Sequence, residues 1–331
     1  MKPATELGPA YEAVLDELRT PDKFLLVTHE HPDGDALGSI VAMREVLERT
    51  GKDAVMYIDP DEFPLPQEYG FLTLDGLVGY VPDDILERTV VFLDCGNMDR
   101  NPFAAQLPDG GGRVVNIDHH HDNTEFGDID LVVADASCTA EIVWELMYEL
   151  GVEPSVTIAQ ALYVGLVTDT GRFMYKNTGP KAHRMAADLI EHGVDSFAVY
   201  RSIYEDMPFG KLALLARGLS NTERHDGLTV TRLTADDFRE SGAEESFSEG
   251  VIDYLRAIEG TQIAALVRDR MGPGQNGLRK VSLRASDEAF DVSEIARTQG
   301  GGGHPQAAGF TTSMEWPELV EFLRGRLNPR S

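Results

Sequence analysis

Residues 23–28 form an apolar run (KFLLVT), and Ala36, Leu37, Ile40, Val41, Val46 and Leu47 then recur at helical spacing as far as Gly51. The run predicts a buried strand and the repeat predicts a helix, which together open a βαβ unit. Short β-branched runs follow at residues 54–58, 89–93 and 113–117, whereas residues 139–150 and 156–167 read as helices. Such alternation predicts a mostly parallel sheet with helices on its faces. Helical patterns continue from 180 to 218 without a strand, and strands return at 228–233, 262–268 and 279–284. The expected fold is therefore α/β: a mostly parallel-sheet domain over residues 1–190, a helical connector over 191–222 and a smaller α+β domain over 223–331. Residues 271–277, rich in glycine, read as a hairpin connection, and no internal repeat is present.

Composition narrows the class. Of the 331 residues, 42% are hydrophobic and 26% charged, which fits a folded chain and excludes a mainly disordered one. The opening residues lead into no apolar signal region, and runs such as 90–93 fall far short of the roughly 20 apolar residues a membrane span needs. The expectation is a soluble, cytoplasmic protein without a membrane partner. Cys95 and Cys138 have neither a disulfide framework nor metal-finger spacing, in keeping with a reducing compartment. Charge is the unusual property: 56 acids against 29 bases give −27, and the bases are 22 Arg and 7 Lys. That balance suits a high-salt cytoplasm, where the Debye length falls to about 3 Å at 1 M and self-repulsion is screened. We expect a halophilic source; an acidic mesophilic protein is the alternative. Residues 1–190 hold 34 acids and 13 bases, residues 191–331 hold 22 and 16, so the second part is better suited to an anionic ligand.

Acidic and imidazole groups gather where predicted strands end. The first strand runs into His29, His31, Asp33 and Asp35, the third into Asp94 and the fourth into Asp118, His119, His120 and His121, while a helix delivers Asp169. In a parallel sheet the carboxyl ends of the strands line the ligand crevice, so these segments are expected to converge. Crowded carboxylates repel unless a divalent cation reverses the cost. Two imidazoles with about four carboxylates suit Mn²⁺, with Zn²⁺, Co²⁺ or Fe²⁺ as alternatives; an all-oxygen shell would favour Mg²⁺. Six ligands exceed what one catalytic ion keeps, which points to two ions sharing a carboxylate. Each element has a plainer reading: Asp33 and Asp35 as helix caps, Asp94 as a turn residue, the three histidines as a surface tract. In the second part, the glycines at 300–303 would let a phosphate approach the backbone of a loop, with a hydrogen bond from His304. Arg268, Ser282 and Arg284 on neighbouring strands would contact another phosphate or a base, or else form a solvent-facing row.

The motifs H29-xxx-D33-x-D35-ALGS, L93-D94 with D99-R100, D118-H119-H120 and D169-TGRF together resemble those of the DHH phosphoesterase family, over about residues 20–325. Gly301-Gly302-Gly303-His304-PQAAG resembles the glycine-rich motif of the DHH-associated C-terminal domain, and Asp291-VSEIA precedes it as in the oligoribonuclease and pAp phosphatase branch. The resemblance implies one metal held by His29, Asp33 and Asp94 and a second by Asp35, Asp94, His119 and Asp169. It also implies that His120 touches the scissile phosphate, that Asp118 orients an imidazole, and that the motif arginines Arg100 and Arg172 meet substrate with Gly301, Gly302, Gly303 and His304. His31 and His121 are extra histidines that compete for the ligand positions.

The resulting expectation is an enzyme with two Mn²⁺ ions (Mg²⁺, Co²⁺ or Zn²⁺ as substitutes) that hydrolyses short single-stranded oligonucleotides to mononucleotides and dephosphorylates 3'-phosphoadenosine 5'-phosphate. Its partners would be such oligonucleotides or nucleotides, and a homodimer is left open. A phosphodiesterase for cyclic di-AMP or pApA is the alternative within the same chemistry. A catalytically silent nucleotide sensor is the alternative from another class.

Overall fold

The structure, a computed structural model, describes residues 8–98, 101–107, 112–205, 207–271, 274–275, 277–286 and 289–327. The chain divides into two compact units, Met1–Asp206 and Met207–Ser331. The first carries 38 acids and 14 bases and the second 18 and 15, net charges of −24 and −3.

The first unit runs α1 (Pro9–Arg19), β1 (Lys23–Val27), α2 (Gly34–Arg49), β2 (Asp53–Tyr57), β3 (Leu77–Val78), β4 (Thr89–Leu93), β5 (Val114–Asp118), β6 (Ile129–Val132), α3 (Thr139–Glu149), α4 (Val156–Asp169), α5 (Pro180–Glu191) and α6 (Ser196–Tyr204). Its six strands are all parallel, in the order β3-β2-β1-β4-β5-β6. The winding direction reverses between β1 and β4, which opens a crevice beyond their carboxyl ends. The helices all contribute to one face, where Phe24, Leu26, Val91, Leu93, Val115 and Ile117 of the sheet are buried among them. Helices on both faces were the expectation. The other face, with Leu25, Val27, Tyr57, Val90 and Phe92, is covered instead by loops and short 3-10 turns that include Ile85, Met98, Phe103, Leu107 and Phe126. Residues 60–88, which reach this face at Val78, Val81 and Ile85, form no α-helix, because Pro60, Pro64, Pro66 and Pro82 each remove a helix donor and clash with the preceding turn.

Glycine decides how closely α2 and α4 pack. A Cβ at Gly38 would lie 2.3 Å from the Ala161 carbonyl, and one at Gly34 would lie 2.5 Å from Thr168 Oγ1. The two helices therefore touch at their backbones, which brings the end of α4 beside the start of α2.

The second unit comprises α7 (Phe209–Ser220), β7 (Glu223–His225), β8 (Leu228–Leu233), α8 (Ala235–Ser241), α9 (Val251–Arg256), β9 (Ile263–Asp269), β10 (Arg279–Ala285), α10 (Val292–Arg297), β11 (Gly302–His304), β12 (Ala307–Thr312) and α11 (Trp316–Arg324). Its sheet has the order β11-β12-β10-β9-β8-β7, with β8 and β9 parallel and the remaining pairs antiparallel. One face packs Val230, Ala265, Val267, Val281, Leu283 and Phe310 under α10 and α11. On the other face, α7, α8 and α9 cover Leu233, Ala264 and Leu266 of β8 and β9. Lys280, Ser282 and Arg284 of β10 lie on that second face and are only half-buried. Strands β3, β6, β7, β11 and β12 were not anticipated, and the glycine-rich stretch read as a loop is in fact the edge strand β11.

Candidate metal centre

Three strand ends and two helix ends build the cluster. His29 lies two residues beyond β1, and its Nδ1 is 2.7 Å from the Glu30 carbonyl. A carbonyl only accepts, so Nδ1 carries the proton and donates, and Nε2 is the nitrogen turned to Asp94 Oδ2 at 3.5 Å. Asp33 caps α2: its Oδ1 accepts from the amides of Asp35 and Ala36 at 2.9 and 3.2 Å. The capping reading of Asp33 holds, and it does not exclude a ligand role, since Asp33 also presents a donor atom within 4.8 Å of those of His29 and Asp94.

Asp94 is the centre. It follows β4 directly in the left-handed region (φ +60°), a conformation that costs a non-glycine residue about 1–2 kcal/mol, and it is 2% exposed. Its Oδ2 faces His29, while its Oδ1 accepts from Thr139 Oγ1 at 3.0 Å and lies 3.6 Å from His119 Nε2 and 3.7 Å from His120 Nδ1. His119 Nε2 also lies 3.7 Å from Asp169 Oδ2 and 4.0 Å from Asp35 Oδ2. Ligand-type atoms of Asp94, His119 and His120 form a second compact group. Asp35 is fully buried and occupies the amino end of α3, accepting from the amides of Thr139 at 2.6 Å and Ala140 at 2.9 Å. Gly165 leaves it room, because a Cβ there would stand 2.6 Å from Asp35 Oδ1. Asp118, the last residue of β5 and fully buried, accepts from His120 Nδ1 at 2.7 Å and from Asn123 Nδ2 at 2.6 Å.

The electrostatics follow from crowding. Burial, then the charges of Asp94, Asp169 and Asp33, push the Asp35 carboxyl well above its ordinary range. Asp169 is pushed up to about 7 by burial; His119 opposes this and Asp94 and Asp33 add to it. Burial alone would lower the pKa of His29, yet the Asp94 hydrogen bond and the charges of Asp94 and Asp33 carry it to about 9. For His120, burial is likewise outweighed by the hydrogen bond to Asp118 and by Asp94, again giving about 9. Burial would raise the Asp94 carboxyl, but His29 leads the three imidazoles in holding it well below the usual range. The cluster takes up protons to balance its carboxylates, which is what divalent cations would do in their place.

The extra histidines separate from the cluster. His31 is 78% exposed and turns to Glu62, its backbone amide and Nδ1 lying 2.8 and 2.9 Å from Glu62 Oε2; His121 is exposed. Arg172 is exposed and in the left-handed region, with its guanidinium 5.0 Å over the Tyr204 ring. Arg100 lies outside the described residues. In the second unit Arg268 is buried and donates to Ser248 Oγ, so it is not part of a solvent-facing row. Burial lowers its pKa. Lys280 stands opposite it on the same face, Ser282 opposite Gly309 and Arg284 opposite Ala307. Gly301 and Gly303 serve the sheet: a Cβ would fall 2.2 Å from the Gly309 carbonyl at the first and 2.5 Å from the Ala307 carbonyl at the second. Only Gly302 of the three opens onto free space. His304 closes β11 opposite Ala307, and its side chain lies outside what the structure describes.

Sequence reading missed three side chains that hold this arrangement: Thr139, Asn123 and Asn177, whose Nδ2 reaches the Asp169 carbonyl and carboxylate at 3.1 and 3.2 Å. No short motif marks them.

Residues 23–166 match the family model for the DHH family, N-terminal domain, and residues 226–328 match that for the DHHA1 domain. The chain is 35% identical over 291 residues to the bifunctional oligoribonuclease and PAP phosphatase NrnA of Thermus thermophilus, covering 86% of this chain and 83% of that protein. The chain belongs to the DHH family. Among its relatives, this DHH protein is 26% identical to the cyclic-di-AMP phosphodiesterase PdeA of Listeria monocytogenes, over 88% of this chain but 45% of PdeA. Its fold matches the crystal structure of an exopolyphosphatase-related protein from Bacteroides fragilis, with a TM-score of 0.87, 23% identity and coverage of 96% and 95% of the two chains. No helix among the described residues is long and apolar enough to cross a membrane.

Proposed function

We propose that this protein is a divalent-metal phosphoesterase that hydrolyses short oligonucleotides to mononucleotides and removes a phosphate from 3'-phosphoadenosine 5'-phosphate. The observation that carries the reading is the position of Asp94, whose two oxygens face two different imidazole sets. The donor set fits a pair of hard-to-borderline cations such as Mn²⁺, since only carboxylate and imidazole are present and the unrelieved carboxylates otherwise hold protons. His29, Asp33 and Asp94 would hold one ion, and Asp35, Asp94, His119 and Asp169 the other. Bound there, the ions supply Lewis-acid charge to phosphoryl oxygens and acidify water.

The chain's own groups do the rest. His120, held through Nδ1 by Asp118, would hydrogen-bond the scissile phosphate from a fixed orientation. In the second unit the open face at Gly302, with Lys280, Ser282 and Arg284 on the same side and Arg268 buried beneath them, would bind a second phosphate or a base. His304 would contribute a hydrogen bond, and Arg100 and Arg172 would meet the substrate. The name of the Thermus relative supports oligonucleotide and pAp as substrates; the name of the Listeria relative keeps cyclic dinucleotides as the competing class. We further read the acidity of the chain as adaptation to a salt-rich cytoplasm.

The test is a panel of pAp, two- to ten-nucleotide oligomers and cyclic dinucleotides assayed with Mn²⁺ at low and high KCl. Fastest turnover of the short oligomers supports the proposal. Preference for the cyclic dinucleotide would transfer it to the competing class, and absence of metal-dependent turnover on every substrate would reject it.

A further inference from the structure

We infer that Thr139 is a positioning residue, whose hydroxyl fixes the plane of the Asp94 carboxylate so that one oxygen faces each half of the cluster. The inference rests on the metal-centre reading given above. Thr139 opens α3, and its side chain is fully buried. Its hydroxyl donates to Asp94 Oδ1 at 3.0 Å, and its amide donates to Asp35 Oδ2 at 2.6 Å. One residue thus holds two carboxylates from different parts of the chain, Asp94 just beyond β4 and Asp35 in α2.

The start of α3 fixes where that hydroxyl stands. Cys138, the residue before α3, gives no side-chain hydrogen bond to the helix, so the first amides find their acceptor in Asp35. A helix of 11 residues places partial positive charge at that end, which favours the carboxylate there. Asp35 and α3 are consequently locked together, and the lock sets where the Thr139 hydroxyl stands. That hydroxyl can donate only one proton, and Asp94 Oδ1 receives it. Turning the plane of the Asp94 carboxylate out of this orientation would break the bond, so one oxygen is held toward His119 and His120 and the other toward His29. A carboxylate that is to serve two ions gains from being held in this one orientation before either arrives.

The experiment compares Thr139→Val, which keeps the shape and removes the donor, with Thr139→Ser, which keeps the donor. Mn²⁺ binding to each chelator-stripped protein is followed by calorimetry, alongside kcat and KM on a dinucleotide and thermal melts of the metal-free forms. We expect Thr139→Val to weaken Mn²⁺ binding by about 10-fold or more and to lower kcat by a similar factor with KM within about threefold. Thr139→Ser should stay within about threefold of the unmodified protein in every readout. Equal losses in the two variants, or a Thr139→Val protein that binds Mn²⁺ and turns over normally, would overturn the inference. If Thr139→Val does not fold, Thr139→Ala against Thr139→Ser makes the same comparison. An unmodified protein that binds no Mn²⁺ would instead defeat the metal-centre reading on which all of this stands.

Discussion

The two units spend charge in opposite ways. The first, at −24, buries Asp35, Asp94 and Asp118 beneath the switch point of a parallel sheet and balances them with imidazoles and helix amides. The second, at −3, buries Arg268 and Arg279 and leaves Lys280, Ser282 and Arg284 half-open on one side of a mixed sheet. Concentrated negative charge makes the first a place for cations; it would repel a phosphate approaching without them. The second is close to neutral, so its basic side chains face far less opposing charge.

The largest effect expected from breaking this division is at its most negative point. Asp94→Asn removes the carboxylate shared by the two imidazole sets, and turnover should fall below about a hundredth of the unmodified rate while circular dichroism remains native. Metal content of the purified variant should fall with it. A variant that keeps both more than a tenth of its turnover and its metal shows that Asp94 is not shared between ions.

On the other side of the comparison, adjacent glycines separate binding from folding. Gly301→Ala forces a Cβ into the Gly309 carbonyl, so it should lower the melting temperature by several degrees through the β11–β12 pair. Gly302→Ala meets open space and should leave melting unchanged, yet raise KM by about 10-fold if a phosphate sits on that backbone. Metal affinity should be unaltered in both. Unchanged KM in Gly302→Ala would take the substrate off this face.

What could be read from the chain follows the same line. Strand-end clusters such as Asp118-His119-His120 declare themselves because acids and imidazoles beside an apolar run have few structural uses. Thr139 and Asn123 gave no signal, since an isolated Thr or Asn is ordinary in any loop or helix start; their meaning comes from Asp94, 45 residues away, and from the fold around Asp118. Strand β11 was illegible because glycine is a poor strand former, and only the close approach to Ala307 and Gly309 makes glycine the residue the pairing needs. Strand β6 escaped because its four residues sit at the sheet edge, with Asp130 among them and Asp128 just before. The one-sided helical layer was equally hidden, as periodicity identifies a helix without saying which face of the sheet it covers.

A smaller effect comes from titrating the metal-free protein. His29 and His120 have folded-state values near 9 against an ordinary 6.5, so the stability they contribute is complete below 6.5 and is lost as pH rises through 9. Asp169, raised to about 7, and Asp35, also raised, act in the same direction, because the fold keeps protons that the unfolded chain has released. Melting temperature in chelator should therefore decline by about 5 °C or more from pH 6 to pH 9. Saturating Mn²⁺ should flatten that slope, since the ions replace the protons as counter-charge. A metal-free melt that rises over this range would mean that the buried acids are balanced by something other than the imidazoles.

The smallest expected effect concerns salt, and it should be unequal between the units. Raising KCl from about 0.1 to 1 M shortens the Debye length from about 10 to 3 Å, which screens repulsion among exposed carboxylates and leaves buried pairs almost untouched. The benefit scales with the charge imbalance, so it belongs chiefly to the unit at −24 and hardly to the one at −3. Hydrogen exchange on the intact protein resolves the two: amides of β1, β4 and β5 should gain protection with KCl while those of β9 and β10 change little. Sulfate strengthens burial everywhere by exclusion from the surface, so the comparison must use chloride. Equal gains in both sheets would indicate a general solvent effect and would remove charge as the reason this chain tolerates its acids. A loss of protection in the first unit would go further, because it would mean that exposed ion pairs such as Lys23 with Asp84 and Glu87 stabilise that unit more than its net charge destabilises it.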